Sequence, residues 1–135
     1  MKHIYKTFIT NDQGSTGSVS TDTHYLFHTK PVKEASGAAT NPEQLLGASW
    51  ATCLNSTLHS VLKARQIEAL SRIRVEVDLF FDDVTRYEFH IKAYVAIQGL
   101  SLEETKKYTD IADRYCPVSK LLKNNQNVSI VTEVY

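Results

Sequence analysis

The sequence predicts an α+β fold whose elements run β-β-β-α-β-β-α-β, and three observations carry that prediction. Stretches of alternating polarity gather in two main groups, one before residue 30 and one after residue 70. A long stretch from Asn41 carries helix-start signals and almost no charge. A second capped helix begins at Ser101. Strands grouped in this way argue against the strand–helix alternation of a parallel doubly wound sheet.

In chain order, His3 to Thr10 alternate in polarity and read as a first strand. Gly17 to Thr21 ("GSVST") read as a second and His24 to Thr29 ("HYLFHT") as a third, with a turn at Asp22 between those two. "KEASGAAT" follows as a flexible loop. Asn41 can cap the long helix, Pro42 suits its first position and Gln44 closes a capping box, so the helix starts here and runs to about Gln66. "RIRVEVDLFF" and "YEFHIKAYVAI" then alternate over long spans and read as an antiparallel pair joined through Asp82, Asp83 and Thr85. Ser101 with Glu104 caps the second helix, whose buried side is expected to be Leu102, Tyr108, Ile111 and Ala112. Cys116 precedes Pro117 at the expected N-cap of a short helix, and "NVSIVTEVY" closes the chain as a strand.

Composition narrows the function. A chain of 135 residues with 42% hydrophobic content fits one domain, residues 1–135, with a real core. Fifteen basic side chains balance fifteen acidic ones, so no net field draws the protein to nucleic acid or to an anionic membrane surface. The start "MKHIYKTFIT" lacks the apolar run of a signal peptide, and no window approaches the roughly 18 apolar residues of a membrane span. A cytoplasmic location is expected. There, two cysteines 63 positions apart read as free or redox-active rather than as a permanent staple.

The central helix is unusual for its lack of charge. Between Asn41 and Leu62 the only fully charged side chain is Glu43, so the helix is expected to be buried nearly all round. Ala51, Leu54, Leu58, Val61 and Leu62 form one apolar stripe. Cys53 shares a neighbouring face with Leu46, Ser49, Trp50, Ser56, Thr57 and Ser60, mostly small residues that let another helix approach, expected to be the same helix of a second subunit. Glu43 lies ten residues before Cys53, which is roughly 15 Å along one helix. If the two belong to one reactive site, Glu43 comes from the partner chain; otherwise it is a first-turn carboxylate favoured by the helix dipole.

The cysteines have two readings each. Cys53, in mid-helix, is either a small packed hydrophobe or a reactive thiol. Cys116 is either a neutral loop thiol or, at a helix N-terminus, one pushed toward the thiolate. Metal binding has little support: there is no C-x-x-C pair, and His59 stands six residues from Cys53 on the far side of the helix. That geometry also counts against a local Cys–His nucleophile pair. His3, His24, His28 and His90 fall on expected strands, where packing or surface roles are the rule.

"TNPEQLLGASWATC" and "CPVSKLLKNN", in this order and at this separation, resemble the OsmC/Ohr family of thiol peroxidases, which detoxify organic hydroperoxides. "GSVST" fits as well, so the resemblance covers nearly the whole chain, and "CPVS" is closer to the OsmC branch. The resemblance implies an intertwined homodimer with a long central buried helix and two active sites at the subunit interface. It implies that Cys53 is the peroxidatic cysteine, Cys116 its resolving partner and Glu43 the carboxylate that orients the site's cation. Attack of a Cys53 thiolate on the peroxide would leave a sulfenic acid that Cys116 converts to a disulfide. An external dithiol must then reset the pair, and the resemblance implies a lipoylated protein or another small dithiol. Leu46, Trp50 and Leu54 would make an apolar substrate wall suited to an alkyl or fatty-acid hydroperoxide. The chemistry requires no metal or organic cofactor.

A mid-helix thiol needs a neighbouring cation to ionise at neutral pH. The family supplies an arginine, and this chain departs from that pattern. "GSTG" carries Ser15 where the Ohr branch has its arginine, and counting back eight residues from Asn41, as the OsmC branch does, gives Lys33. Lysine supplies charge without the planar two-pronged contact of a guanidinium. With the arginine absent, the fold could alternatively serve as a binding module for an apolar ligand, its cysteines inherited and slow.

Overall fold

The computed structural model describes residues 1–34 and 36–135, which fall into two compact units, Met1–Leu45 and Leu46–Tyr135. The first is a three-stranded antiparallel sheet of β1 (Ile9–Asn11), β2 (Gly17–Thr21) and β3 (Leu26–Thr29) in sequence order. The strand expected over His3 to Thr10 shrinks to Ile9–Asn11. Its alternation lacks a partner: β2 ends at Thr21, opposite Ile9, and one further bond from the Asp22 N–H to the Phe8 carbonyl closes the pairing. The chain then turns at Asp22, as expected, and His24 takes a positive φ of 63°, so the third strand starts only at Leu26.

After a 3-10 turn at Val32–Glu34 the expected loop is tied down at its far end. The Thr40 N–H donates to the His28 carbonyl at 2.9 Å, and Lys30 N–H donates to the Thr40 carbonyl at 3.0 Å. Ala35, within that loop, lies outside the described residues.

Helix α1 (Pro42–Lys63) opens on Asn41, whose Oδ1 accepts from the Gln44 N–H at 2.8 Å. Only this half of the expected capping box is seen, because Gln44 Oε1 instead accepts from the Thr40 hydroxyl at 2.9 Å. The helix stops at Lys63 rather than near Gln66. Gln66 adopts φ 58°, and the Ile67 N–H reaches back to the Leu62 carbonyl, the bond pattern of a Schellman cap.

The second unit is built on a mixed sheet in the order β4-β5-β6. β4 (Ser71–Asp82) and β5 (Arg86–Ile97) form the expected long hairpin, with Ser71 opposite Ile97 and Asp82 opposite Arg86. Asp82 Oδ1 accepts from the Val84 and Thr85 N–H groups, which closes the turn and lowers the Asp82 carboxyl below its usual range. β6 (Val128–Thr132) joins β5 in parallel after α2 (Leu102–Tyr115) and α3 (Pro117–Leu122). Strand β5 is central, and its alternate residues Ile91, Ala93, Val95 and Ile97 are buried with Trp50, Leu54, Leu58, Val61 and Leu62 of α1. Each large side chain so buried contributes about 1.5–3 kcal/mol. Gly47 lets helix and sheet come close together: a Cβ there would stand 3.2 Å from Val77 Cγ2.

Two expectations about helix faces need correction. The buried line of α2 is Thr105, Thr109 and Ala112, while Leu102 is 50% exposed and Tyr108 and Ile111 are half-buried. Threonine is accepted there because its methyl packs while its hydroxyl returns to the backbone, as Thr109 does to the Thr105 carbonyl at 2.7 Å. On α1, Trp50 leaves the small-residue face and joins the core, while Ser49, Ser56 and Ser60 are exposed in the chain taken alone. No helix among the described residues is long and apolar enough to cross a membrane.

Candidate active site

Cys53 projects from the middle of α1 and is half-buried. Cys116 is fully buried at the joint between α2 and α3. Its N–H donates to the Ala112 carbonyl, closing α2, and its Sγ accepts from the Ser119 N–H at 3.4 Å, opening α3, with Pro117 at the first helical position. The N-cap expected from the Cys-Pro sequence is therefore formed. The two thiols are free, and the Cys116 S–H is placed to donate to Cys53 Sγ across 3.2 Å. A disulfide of about 2.05 Å needs only a small further approach.

Burial is the leading influence on the Cys53 thiol and pushes its pKa up; the Val118 backbone N–H pulls it down, and Cys116 raises it again through their hydrogen bond and through its own charge. The net direction is upward, so these influences leave Cys53 protonated at neutral pH.

One participant was absent from the sequence reading. The Trp50 indole N–H donates to the Ser119 hydroxyl at 2.9 Å in the buried interior. The available signal was the Ser of "CPVS", which falls at the third position of a Pro-started helix, but no local pattern shows that its hydroxyl meets an indole 69 residues earlier.

Of the expected site residues, the second unit brings Cys53 and Cys116 together. Trp50 and Leu54, expected as substrate wall, are each 1% exposed in the core, whereas Leu46 is half-buried against it. Lys33 and Glu43 belong to the first unit: Lys33 is exposed in the 3-10 turn, and Glu43 occupies the first turn of α1. Glu43 Oε2 is buried with no hydrogen-bond partner among the described residues. The histidines have ordinary surroundings: His59 is exposed, His28 Nδ1 meets the Ser18 hydroxyl, and His90 pairs with Glu88 against the Phe80 ring.

Residues 35–131 match the family model described as OsmC-like protein. A Staphylococcus aureus protein called organic hydroperoxide resistance protein-like is 34% identical over 137 aligned positions, covering 96% of each chain. A crystal structure from Lactobacillus casei superposes with a TM-score of 0.90 at 32% identity, covering 99% of this chain and 94% of that one. The organic hydroperoxide resistance protein OhrB of Bacillus subtilis gives a TM-score of 0.83 at 27% identity, covering 97% of this chain and 98% of its own.

Proposed function

Because the chain belongs to the OsmC-like protein family, we propose that it is a thiol-dependent peroxidase that reduces alkyl or fatty-acid hydroperoxides to alcohols. The observation that carries this reading is the pair of free sulfurs 3.2 Å apart, one half-exposed on a long helix and the other fully buried at a helix joint. An outer sulfur for the substrate beside an inner one shielded from it suits a two-step reduction. Cys53, as thiolate, bonds to the distal peroxide oxygen; the O–O bond breaks, and the alkoxide leaves as alcohol after taking a proton. The sulfenic acid on Cys53 then condenses with Cys116 to give a disulfide and water. An external dithiol, such as a lipoylated protein, restores both thiols.

Burial raises the Cys53 thiol, so a cation has to be brought to it. Lys33 is the proposed source, held by Glu43 of the partner subunit in an intertwined homodimer. A buried oxygen on Glu43 that has no hydrogen-bond partner among the described residues supports a role in gripping a cation. Support for the dimer comes from apolar side chains left at the surface, among them Phe8, Tyr25 and Leu26 in the first unit and Phe80 and Phe81 in the second. In this reading both units are parts of one domain working in the cytoplasm, where thiols stay reduced.

Intact mass measured after one equivalent of cumene hydroperoxide tests the proposal. Loss of two hydrogens, abolished by Cys53→Ser, is the expected result; an unchanged mass in the reduced wild type would end it. A second reading, a binding module for an apolar ligand, is favoured by the raised Cys53 thiol; a cleft of about 680 Å³ in the first unit, which sets Tyr25, Phe27 and Leu45 beside the polar His28, Thr40 and Gln44, offers the space. It expects an unchanged mass together with a retained lipid-like molecule.

A further inference from the structure

Two rungs join α1 to α3. Trp50 and Cys53 lie three residues apart on α1, and Ser119 and Cys116 lie three residues apart at the start of α3. One rung is the 2.9 Å bond from the Trp50 indole to the Ser119 hydroxyl, the other the 3.2 Å contact between the sulfurs. They differ in strength. A thiol is a weak donor and acceptor, whereas the indole–hydroxyl bond joins a full donor to a full acceptor between two buried side chains. Ser119 is also the one buried residue of α3 among the described residues; Leu121 is 85% exposed, and Val118 and Leu122 are half-buried. Val118 and Leu122 also pack against the core, and Ser119, buried between them, gives its N–H to Cys116 Sγ.

We propose that Ser119 is a positioning residue for disulfide closure: its hydroxyl, held by the Trp50 indole, docks α3 on α1 so that Cys116 stays aimed at Cys53. Its role in turnover rests on the peroxidase reading, and the geometry it controls does not. In the closing step the S–S bond forms as the S–OH bond of the Cys53 sulfenic acid breaks, and the hydroxyl leaves as water with the proton of the Cys116 thiol. The sulfenic sulfur is reduced and the thiol sulfur oxidised, so no further reductant enters. A Cys116 displaced by loss of the Ser119 hydroxyl closes slowly, while the step at the half-exposed Cys53 is untouched.

Two closures on the full-length protein test this. In the first, one equivalent of cumene hydroperoxide is mixed with wild type, Ser119→Ala and Ser119→Thr, and sulfenic acid and disulfide are followed by dimedone trapping and mass. Ser119→Ala is expected to form the sulfenic acid at the wild-type rate and to close the disulfide roughly tenfold or more slowly, a loss of the size that small misplacements of reacting groups produce. Ser119→Thr, which keeps the hydroxyl, is expected to restore closure, and equal closure rates in Ser119→Ala and wild type overturn the proposal.

In the second, methyl methanethiosulfonate caps the accessible Cys53, and attack by Cys116 expels methanethiol, again read by mass. This closure needs no peroxide chemistry. An inert wild type in the first experiment removes the peroxidase reading, while the second still decides whether Ser119 aims Cys116. Unfolding of Ser119→Ala without rescue of closure by Ser119→Thr also counts against the proposal.

Discussion

The Cys116 sulfur lies 3.2 Å from the Cys53 sulfur although 63 positions separate the two residues. α1 supplies one and the joint of α2 with α3 the other, so the contact is a product of the second unit's own packing. It leaves the Cys53 thiol half-buried and the Cys116 thiol enclosed, an order of access that the proposed two-step reduction would use.

Removing either sulfur is expected to give a different product. After one equivalent of alkyl hydroperoxide, Cys116→Ser should accumulate a Cys53 sulfenic acid that dimedone traps, and excess peroxide should drive it to the sulfinic acid. Cys53→Ser should show neither product by mass. A trapped adduct in Cys53→Ser would reverse the assignment of the two roles.

The pH response follows from the sign of the Cys53 shift. Burial disfavours the thiolate, so the folded value lies above the unfolded one, and the native state keeps a proton that the unfolded chain has already lost. Stability from this group is complete below the ordinary thiol value of about 8.5 and declines as pH rises past it toward the folded value. Urea unfolding under reducing conditions should show that decline, and Cys53→Ser should flatten it. Iodoacetamide labelling of Cys53 should have its midpoint shifted down in Cys116→Ser, since the neighbouring sulfur's opposing contribution is gone.

Lys33→Met is expected to slow oxidation of Cys53 by about tenfold or more, the rate equivalent of one unit of thiol pKa. Stopped-flow mixing with cumene hydroperoxide measures it. An unchanged rate removes Lys33 from the site.

Gly47→Val places two methyl groups where even a Cβ would stand 3.2 Å from Val77 Cγ2. Overpacking of this kind should destabilise the fold by about 1–3 kcal/mol. The midpoint of a urea transition reports it.

Local signals that carry their own hydrogen-bonding partner were legible in the sequence. Ser101 and Glu104 form the reciprocal cap expected of them, Asp82 closes the hairpin turn, and Cys116 caps the short helix started by Pro117. Signals that depend on a distant surface were not. Residues 3–8 alternate as a strand does, yet β2 is too short to pair with them. Trp50 was placed by helical angle on the small-residue face, but the core and the Ser119 hydroxyl claim it. On α2 the apolar Leu102 stays exposed while Thr105 and Thr109 go inside, the Thr109 hydroxyl satisfied by the Thr105 carbonyl along the helix. The two cysteines stood out from their flanking residues alone; the third member of their cluster, Ser119, has meaning only once α3 lies on α1.

Cys116 ends one helix and begins the next with no spacer between them, and its side chain sits at that vertex. Any pull on this sulfur acts on two lever arms at once, so sealing the pair tugs at the corner of the backbone as well as changing a bond. Closing the pair, in the proposed reaction, would therefore bear on the angle at which those helices meet.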